Sequence, residues 1–472
     1  MDRTKSRIRC LLLIVVALHS CLVLSRIPLA GQNTAHPRRI AVFGSSVAFG
    51  TGDETNKEGY TGLLRELLAP KGWEVFNQSR PGDTTRSAST RFAPEGTPAA
   101  GTRYLMTVNP GYAVIALALT NEGILEANGT AAKEGVFKQY ADGIGSLVDR
   151  ARQNNVVPIV GLVYPRMSYT LVEYEYATRM NLLLNSWDVP SVNLMGALDD
   201  GTGRYTIGFD SDDRHPNAAG HRELFHAWVP SLFEALEKGK PKPTRPGDTG
   251  FARISRGYAP LSFEPQDAVH SFTLSFAVRA QGDGTVAAIA GSTLSASTET
   301  RRGGRGTGYE STTLTPGTNF SATITIQNGK WNYKPAGGAN IASQAAADSQ
   351  WHQILLSHYT ARGETLFFVD GKLAGKVTER LQPKRFVVGG PDTLRNTTPP
   401  READYKDLFI YRSAVNATEA AAIASGTLLQ ASLEIYAPLN DAEFTEGGAV
   451  ENRAQSLSVL KAGAGRIEHV AR

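Results

Sequence analysis

The chain is nearly without cysteine. Its 472 residues include two, Cys10 and Cys21, and both fall in the first 30 positions. Beyond that segment no disulfide framework is available. The fold must rest on buried apolar cores, which a chain of this length is large enough to form. An excess of one charge is equally scarce. The formal net charge is +4; residues 1–30 hold five basic side chains and one acidic, also a net of +4, so 4 − 4 leaves the remainder neutral. A neutral remainder gives no sign of nucleic-acid binding through a charged face. No low-complexity tract is present. The apolar run at residues 11–24 is interrupted by His19 and Ser20 and is shorter than the about 20 residues a spanning helix needs.

That run follows a basic head, "MDRTKSRIRC". Head and run together have the pattern of a secretory signal, so residues 1–30 are predicted to be a signal peptide. "LHSC" would lipidate Cys21, whereas cleavage near Ala30 would release the chain. Membrane contact is therefore expected only through a lipid anchor or an uncleaved signal. The expected location is secreted, periplasmic or cell-surface, and the lack of cysteine leans towards a bacterial host.

The remainder divides by period. Over residues 38–237 short apolar runs alternate with helical spacing. Strands are predicted at 40–43, 74–76, 112–119, 157–164 and 191–194. The third and fourth are almost wholly apolar, as strands covered on both faces must be. Tyr60, Leu63, Leu64, Leu67 and Leu68 mark one helix face, and Phe137, Tyr140, Ile144, Leu147 and Val148 another. A last helix is expected over 218–236. Strand–helix alternation implies a parallel sheet with helices on both sides. Residues 238–250, with three prolines among basic residues, read as a semi-rigid extended linker. Residues 251–472 then turn to short alternating runs, with strands at 271–280, 320–329, 351–360 and 364–375. An Asp-Gly hairpin turn falls at 370–371, and one brief helix at 418–423. This is the pattern of a β-sandwich.

Parallel sheets present ligand sites beyond the carboxyl ends of their strands. The loops there are Gly44-Ser45-Ser46, "NQSRPGDTT" with Gly82, "LTNEG" with Asn121, and "DSDDRHPNAAGH". Acyl transfer needs a hydroxyl nucleophile, a histidine base, a carboxylate to orient the ring, and donors facing the oxyanion. Ser46, His215 and Asp212 supply the first three. The N–H groups of Ser46 and Gly82 and the Asn121 amide supply the donors. Ser45 competes with Ser46 as nucleophile, and Asp210 and Asp213 compete with Asp212. His221 and His226 fall inside the last helix, where packing or solvent exposure is expected. The Asp/His cluster has no second ligand group at metal-binding spacing.

These four loops resemble the blocks of the SGNH hydrolases, also called the GDSL esterase/lipase superfamily, in order and spacing over about 200 residues. The resemblance implies a three-layer flavodoxin-like α/β hydrolase domain. It further implies Ser46 as nucleophile, His215 as base, Asp212 as its partner, Gly82 and Asn121 in the oxyanion hole, and no metal or cofactor. Three positions depart from the family pattern: Ser45 stands for Asp, Leu119 for Gly and Glu122 for Asp. The second half, through "WHQILLSHYTARGETLFFVDGKLAGKV" and "DLFIYRSAVNATEAAAI", is similar to laminin-G-like, concanavalin A-like jelly rolls. Members of that group bind glycans, and some bind calcium. The combined expectation is a secreted esterase that removes acyl groups, acetyl foremost, from glycans. Its partner would be an ester substrate, with polysaccharide the candidate, and Tyr164, Tyr169, Tyr174 and Tyr176 would either stack on sugars or pack. The rival expectations are a lysophospholipase or lipase, and a glycan-binding adhesive protein with an inactive hydrolase domain.

Overall fold

Alternation within a single strand sets the two faces of the first sheet. In β1 (Arg39–Gly44), Ile40 and Val42 enter one apolar core while Ala41 and Phe43 enter another. A strand's side chains alternate sides, so both faces of this sheet are buried. The computed structural model describes residues 36–247, 249–257, 260–302, 308–392 and 402–471. The signal predicted at residues 1–30 lies outside them. No helix among the described residues is long and apolar enough to cross a membrane.

After β1 come α1 (Ser46–Phe49), α2 (Gly59–Leu68), β2 (Glu74–Asn77), α3 (Thr85–Thr90), β3 (Tyr112–Ala116) and α4 (Gly129–Gln153). The half closes with β4 (Val157–Gly161), α5 (Leu171–Ser186), β5 (Ser191–Val192), α6 (Met195–Leu198), α7 (Ala218–His226) and α8 (Leu232–Glu237). The five strands are parallel in the order β2-β1-β3-β4-β5. Helices α2, α7 and α8 cover one face through Tyr60, Leu64, Leu224 and Phe233. Helices α3, α4 and α5 cover the other through Ala88, Tyr140, Ile144 and Met180.

Three sequence expectations change here. The helix expected over 218–236 is two helices, α7 and α8. Pro230 lies between them, lacks an amide hydrogen and disfavours helical geometry in the residue before it. The third strand stops at Ala116 rather than 119, because Ser45 N takes the Ala116 carbonyl at 3.1 Å where β1 itself ends. The fourth stops at Gly161, after which Val163 N turns to the Asn181 side chain at 2.8 Å. Helix α5 was not anticipated. Its start is a capping box between Thr170 and Glu173, the arrangement that satisfies orphan donors at a helix N-terminus.

From Gly250 onward the chain forms two eight-stranded antiparallel sheets packed around one apolar core. The Asp-Gly turn joins Glu364–Val369 to Lys372–Thr378, with positive φ at both central residues. Helix α9 (Ala417–Ala424) begins at a capping box between Asn416 and Glu419. The strand expected at 320–329 is the end of a 20-residue strand, Gly308–Gln327, paired with the 19-residue strand Gly284–Arg302. This long hairpin leaves the sandwich and docks on the α/β half. Thr312 N donates to the Gly208 carbonyl at 2.8 Å, and Asn217 Nδ2 donates to the Glu310 carbonyl at 3.1 Å.

Residues 37–472 form one compact unit. The Asn185 side-chain oxygen accepts from Gln430 N and Ala431 N at 3.0 and 2.9 Å, and Ser413 Oγ donates to the Asn193 carbonyl at 2.9 Å. The proline-rich segment joining the halves is extended, and two of its lysines are tied down. Lys240 Nζ donates to the carbonyls of Asn452, Ala454 and Ser456, and Lys242 Nζ to that of Trp187. The sandwich is packed on the α/β half rather than held away from it.

Candidate active site

The carboxyl edge of the parallel sheet gathers all four polar loops. At the end of β1, Ser45 and Ser46 fare differently. Ser45 is fully buried, and its Oγ shares a 3.2 Å hydrogen bond with the Tyr164 hydroxyl from the end of β4. Ser46 opens α1 with 8% of its surface exposed. Its Oγ has no hydrogen bond among the described residues, so this hydroxyl is uncommitted while its neighbour's is engaged.

The loop before α7 holds His215 and Asp212. His215 Nδ1 lies 2.9 Å from both carboxylate oxygens of Asp212. Asp212 Oδ1 also accepts the backbone N–H groups of Arg214 at 2.7 Å and His215 at 2.8 Å. Partial burial works to raise the Asp212 pKa, but the His215 ring and those backbone donors outweigh it and hold the carboxyl below its ordinary value. A carboxylate at Nδ1 fixes the proton there and leaves Nε2 with its lone pair, the tautomer a general base requires. The rival carboxylates are occupied otherwise. Asp213 faces Arg214 at 3.5 Å, and burial raises the pKa of Asp210.

Two glycines bear on the geometry. Gly52 follows α1 at φ +95°, and a Cβ there would stand 2.2 Å from the Pro216 carbonyl and 3.0 Å from His215 Cβ. Only a residue without a side chain lets the segment after Ser46 lie against the His215 loop. Gly82 has φ +81°, and a Cβ on it would meet nothing within 4 Å. Its exposed N–H makes no hydrogen bond among the described residues. Asn121, in the turn Leu119–Glu122, donates from Nδ2 to the Asp83 carbonyl at 2.9 Å, which sets its amide beside the Gly82 turn. No hydrogen bond among the described residues joins Ser46 Oγ to His215 Nε2. Unliganded catalytic hydrogen bonds are commonly long and tighten with substrate bound.

Several supporting residues carry no motif of their own. Glu122, one of the departures from the family pattern, accepts from Thr85 N and from Gln139 Nε2, and so ties the Asn121 turn to the block with Gly82. Asp83 is buried against Arg91 and accepts from Ser87 Oγ. His221 is 1% exposed; burial lowers its pKa to about 4, so it is neutral near pH 7. Its Nε2 lies 3.1 Å from the Thr51 carbonyl, next to Gly52. Tyr164, Tyr169 and Tyr176 are buried, and Tyr174 is half-buried with its hydroxyl donating to Asp199 at 2.6 Å. All four tyrosines pack rather than present open faces to a sugar.

Elsewhere, Glu223, His226 and His270 bring one ligand atom each within 4.8 Å of one another. The two imidazoles stack at 3.9 Å with 28° between planes, and His270 Nδ1 is bonded to Glu223 at 2.8 Å. The ring stack and the His270–Glu223 contact tie α7 to the sandwich at the junction between the halves. Cavities of about 590 and 460 Å³ lie against the sandwich, and neither is lined by Ser46 or His215.

Residues 42–223 match the family model described as GDSL-like Lipase/Acylhydrolase. The α/β half belongs to that family. It is accordingly a carboxylic ester hydrolase domain of the SGNH/GDSL type, followed by an antiparallel β-sandwich. No curated protein matches the chain. Among solved structures, a putative lipolytic protein of the G-D-S-L family from Desulfitobacterium hafniense is similar at 17% identity. It covers 40% of this chain and 97% of its own, with a TM-score of 0.32. A catalytic mutant of an acetylxylan esterase from Geobacillus stearothermophilus is similar at 16% identity, over 40% of this chain and 91% of its own, at 0.30. A heptameric SAP-like pentraxin from Limulus polyphemus is similar at 11% identity, over 49% of this chain and 92% of its own, at 0.27.

Proposed function

We propose that this GDSL-type hydrolase is a secreted serine esterase that removes acyl groups, acetyl foremost, from carbohydrates. The observation that carries the catalytic part is the Asp212–His215 pair, at 2.9 Å, on a loop that Gly52 allows to lie against the segment following the uncommitted Ser46 hydroxyl. Ser46 Oγ attacks the ester carbonyl while His215 Nε2 takes its proton, and Asp212 stabilises the imidazolium that forms. The developing oxyanion accepts from Ser46 N–H, Gly82 N–H and the second N–H of Asn121 Nδ2. The imidazolium then protonates the departing alcohol, leaving an acyl group on Ser46. Water, deprotonated by His215, releases the acid and restores the serine.

A polymeric substrate is supported by the hairpin of Gly284–Arg302 and Gly308–Gln327. It docks beside Asn217, two residues from His215, and Arg301 lies 3.3 Å from Glu54, in the loop after Gly52. In this reading the sandwich borders the site and binds the glycan chain. Export rests on the signal pattern of residues 1–30.

A labelled fluorophosphonate mapped by mass spectrometry tests the nucleophile: the label is expected on Ser46. A label on Ser45, or none, overturns the assignment. Aryl esters of increasing chain length test the acyl group. Fastest turnover on acetate is expected, and a preference for long chains would make the enzyme a lipase or lysophospholipase instead.

A further inference from the structure

The loop that carries Asp212 and His215 is closed by Asn217, two residues past His215 and fully buried. Asn217 N donates to the Phe209 carbonyl at 3.1 Å, and Ser211 N to the His215 carbonyl at 2.9 Å. The Asn217 side chain works in two directions. Its Oδ1 accepts from Gly220 N at 2.9 Å and so caps α7. Its Nδ2 donates to three carbonyls. Two, Gly208 at 3.0 Å and Asp210 at 3.2 Å, lie on the opposite arm of the loop. The third, Glu310 at 3.1 Å, lies on the long hairpin of the sandwich. Two N–H groups serve three acceptors, so one is shared.

The hairpin is equally committed. From Gly308 to Pro316 its second strand pairs with Gly284–Arg302 along one edge, and its other edge has no ladder partner among the described residues. An open strand edge presents backbone donors and acceptors that need cover. In such a strand the Glu310 carbonyl and the Thr312 amide, two residues apart, face the same edge. The His215 loop covers both, because Asn217 takes the Glu310 carbonyl and Thr312 N donates to the Gly208 carbonyl at 2.8 Å. Gly208 has φ +87°, and a Cβ on it would stand 2.1 Å from Thr312 Oγ1, so strand and loop meet where only glycine fits. A further link reaches the segment after Ser46. Glu54 accepts from Ala218 N, the first residue of α7, at 2.8 Å and from Arg301 Nη1 at 3.3 Å. Arg301 is exposed, so that pair contributes little. The weight rests on the buried Asn217.

We infer that Asn217 is a positioning residue for the His215 base, and that the hairpin of the sandwich completes the catalytic site by seating Glu310 and Thr312 on the His215 loop. The inference rests on the reading of Ser46 and His215 as the catalytic pair. Bonds within the loop close it on itself and keep Asp212 against His215; bonds to the hairpin fix where the closed loop stands. A general base must lie within hydrogen-bond reach of the proton it takes, and a displacement near 1 Å costs about a hundredfold. Positioning must therefore show on the smallest substrate, whereas a hairpin that only holds polymer would leave such a substrate unaffected.

Turnover of an aryl acetate by the full chain tests this. Replacing residues 297–313 with Asn-Gly joins Ala296 to its cross-strand partner Leu314 through a two-residue turn, and leaves Ile289, Phe320 and Ile324 in the sandwich core. In this shortened chain kcat is expected to fall about ten- to hundredfold with KM little changed. Asn217→Ala is expected to lose kcat to a similar degree and to lower Tm through the lost cap. Asn217→Ser keeps an oxygen for Gly220 N but cannot span the three carbonyls, so it is expected to regain Tm and not kcat. Combining Asn217→Ser with the shortened hairpin is expected to cost far less than the product of the two losses, because both remove one contact. If circular dichroism shows the shortened chain unfolded, Thr312→Pro takes its place with the same expectation; it removes the N–H that faces the loop and none that faces Gly284–Arg302. Full kcat without the hairpin contact, recovery of kcat together with Tm in Asn217→Ser, or losses that multiply would overturn the inference. Fluorophosphonate labelling of the parent reports the catalytic reading separately. Label on Ser46 with full kcat in the shortened chain sinks only the positioning role, and absent label sinks the catalytic reading.

Discussion

The hydroxyls of Ser45 and Tyr164 lie 3.2 Å apart, and the two residues are 0% and 4% exposed. That contact divides the labour in the Gly-Ser-Ser turn. Ser46→Ala is expected to lower kcat on an aryl acetate by about a millionfold, the loss typical of a removed nucleophile. Ser45→Ala is expected to act on stability instead. It leaves the Tyr164 hydroxyl buried without a partner, at a cost of about 1–3 kcal/mol. Steady-state turnover and thermal melts of the two variants, compared side by side, check the division; the reverse pattern would reassign the nucleophile.

Gly52 makes the turn after Ser46 and the loop of His215 adjacent. Gly52→Ala places a methyl group 2.2 Å from the Pro216 carbonyl, at a φ of +95° that L-residues avoid. The two loops must separate. A displacement near 1 Å between catalytic groups costs about a hundredfold, so kcat is expected to drop by that order while the circular dichroism spectrum is retained. Full activity in Gly52→Ala would mean that the contact does not govern the geometry.

Asn121 offers one N–H to the Asp83 carbonyl at 2.9 Å and leaves the second without a hydrogen bond among the described residues. Removal of one oxyanion donor costs about a hundred- to thousandfold in kcat, and Asn121→Ala is expected to fall in that range with little change in KM. A loss confined to KM would place Asn121 in ground-state binding.

Glu419 caps α9 from inside the junction between the halves, with Asn193 Nδ2 at 3.3 Å. Burial, opposed by the Asn416 N–H, raises its pKa from 4.5 to about 7. A carboxyl raised on folding costs nothing below its unfolded pKa, because both states are protonated there. The penalty grows as pH climbs from 4.5 towards 7 and is complete above that, at about 3 kcal/mol for a shift of this size. Glu419→Gln keeps an acceptor for the cap and removes the charge. Its Tm is expected to exceed the parent's at pH 8 and to equal it near pH 4.5. Equal stabilisation at both values would rule out the carboxyl's ionisation as the cause.

The α/β half was legible because both its signals are local. Apolar runs at 112–116 and 157–161 are strands covered on two faces, and Tyr60, Leu64 and Leu68 recur at the spacing of a helix face. The four polar loops could be placed from strand ends alone, since a parallel sheet puts all of those ends on one edge. Boundaries were less legible. Strand β3 stops where its neighbour's amides run out, and one helix became two at Pro230. The hairpin of Gly284–Arg302 and Gly308–Gln327 was read only at its far end. Its serine- and threonine-rich arms resemble loop in composition, and their pairing with each other makes them strand.

The amino-acid sequence by itself determined the architecture, the family and the residue types gathered on the carboxyl edge, since periodicity and motif order are written within short windows of chain. Tertiary structure alone decided which of two adjacent serines stays uncommitted and which of three aspartates meets the imidazole. Each of those is a question about partners brought together from distant positions, Ser45 with Tyr164 across 119 residues among them. Whether a polar group is satisfied depends on what folding sets beside it.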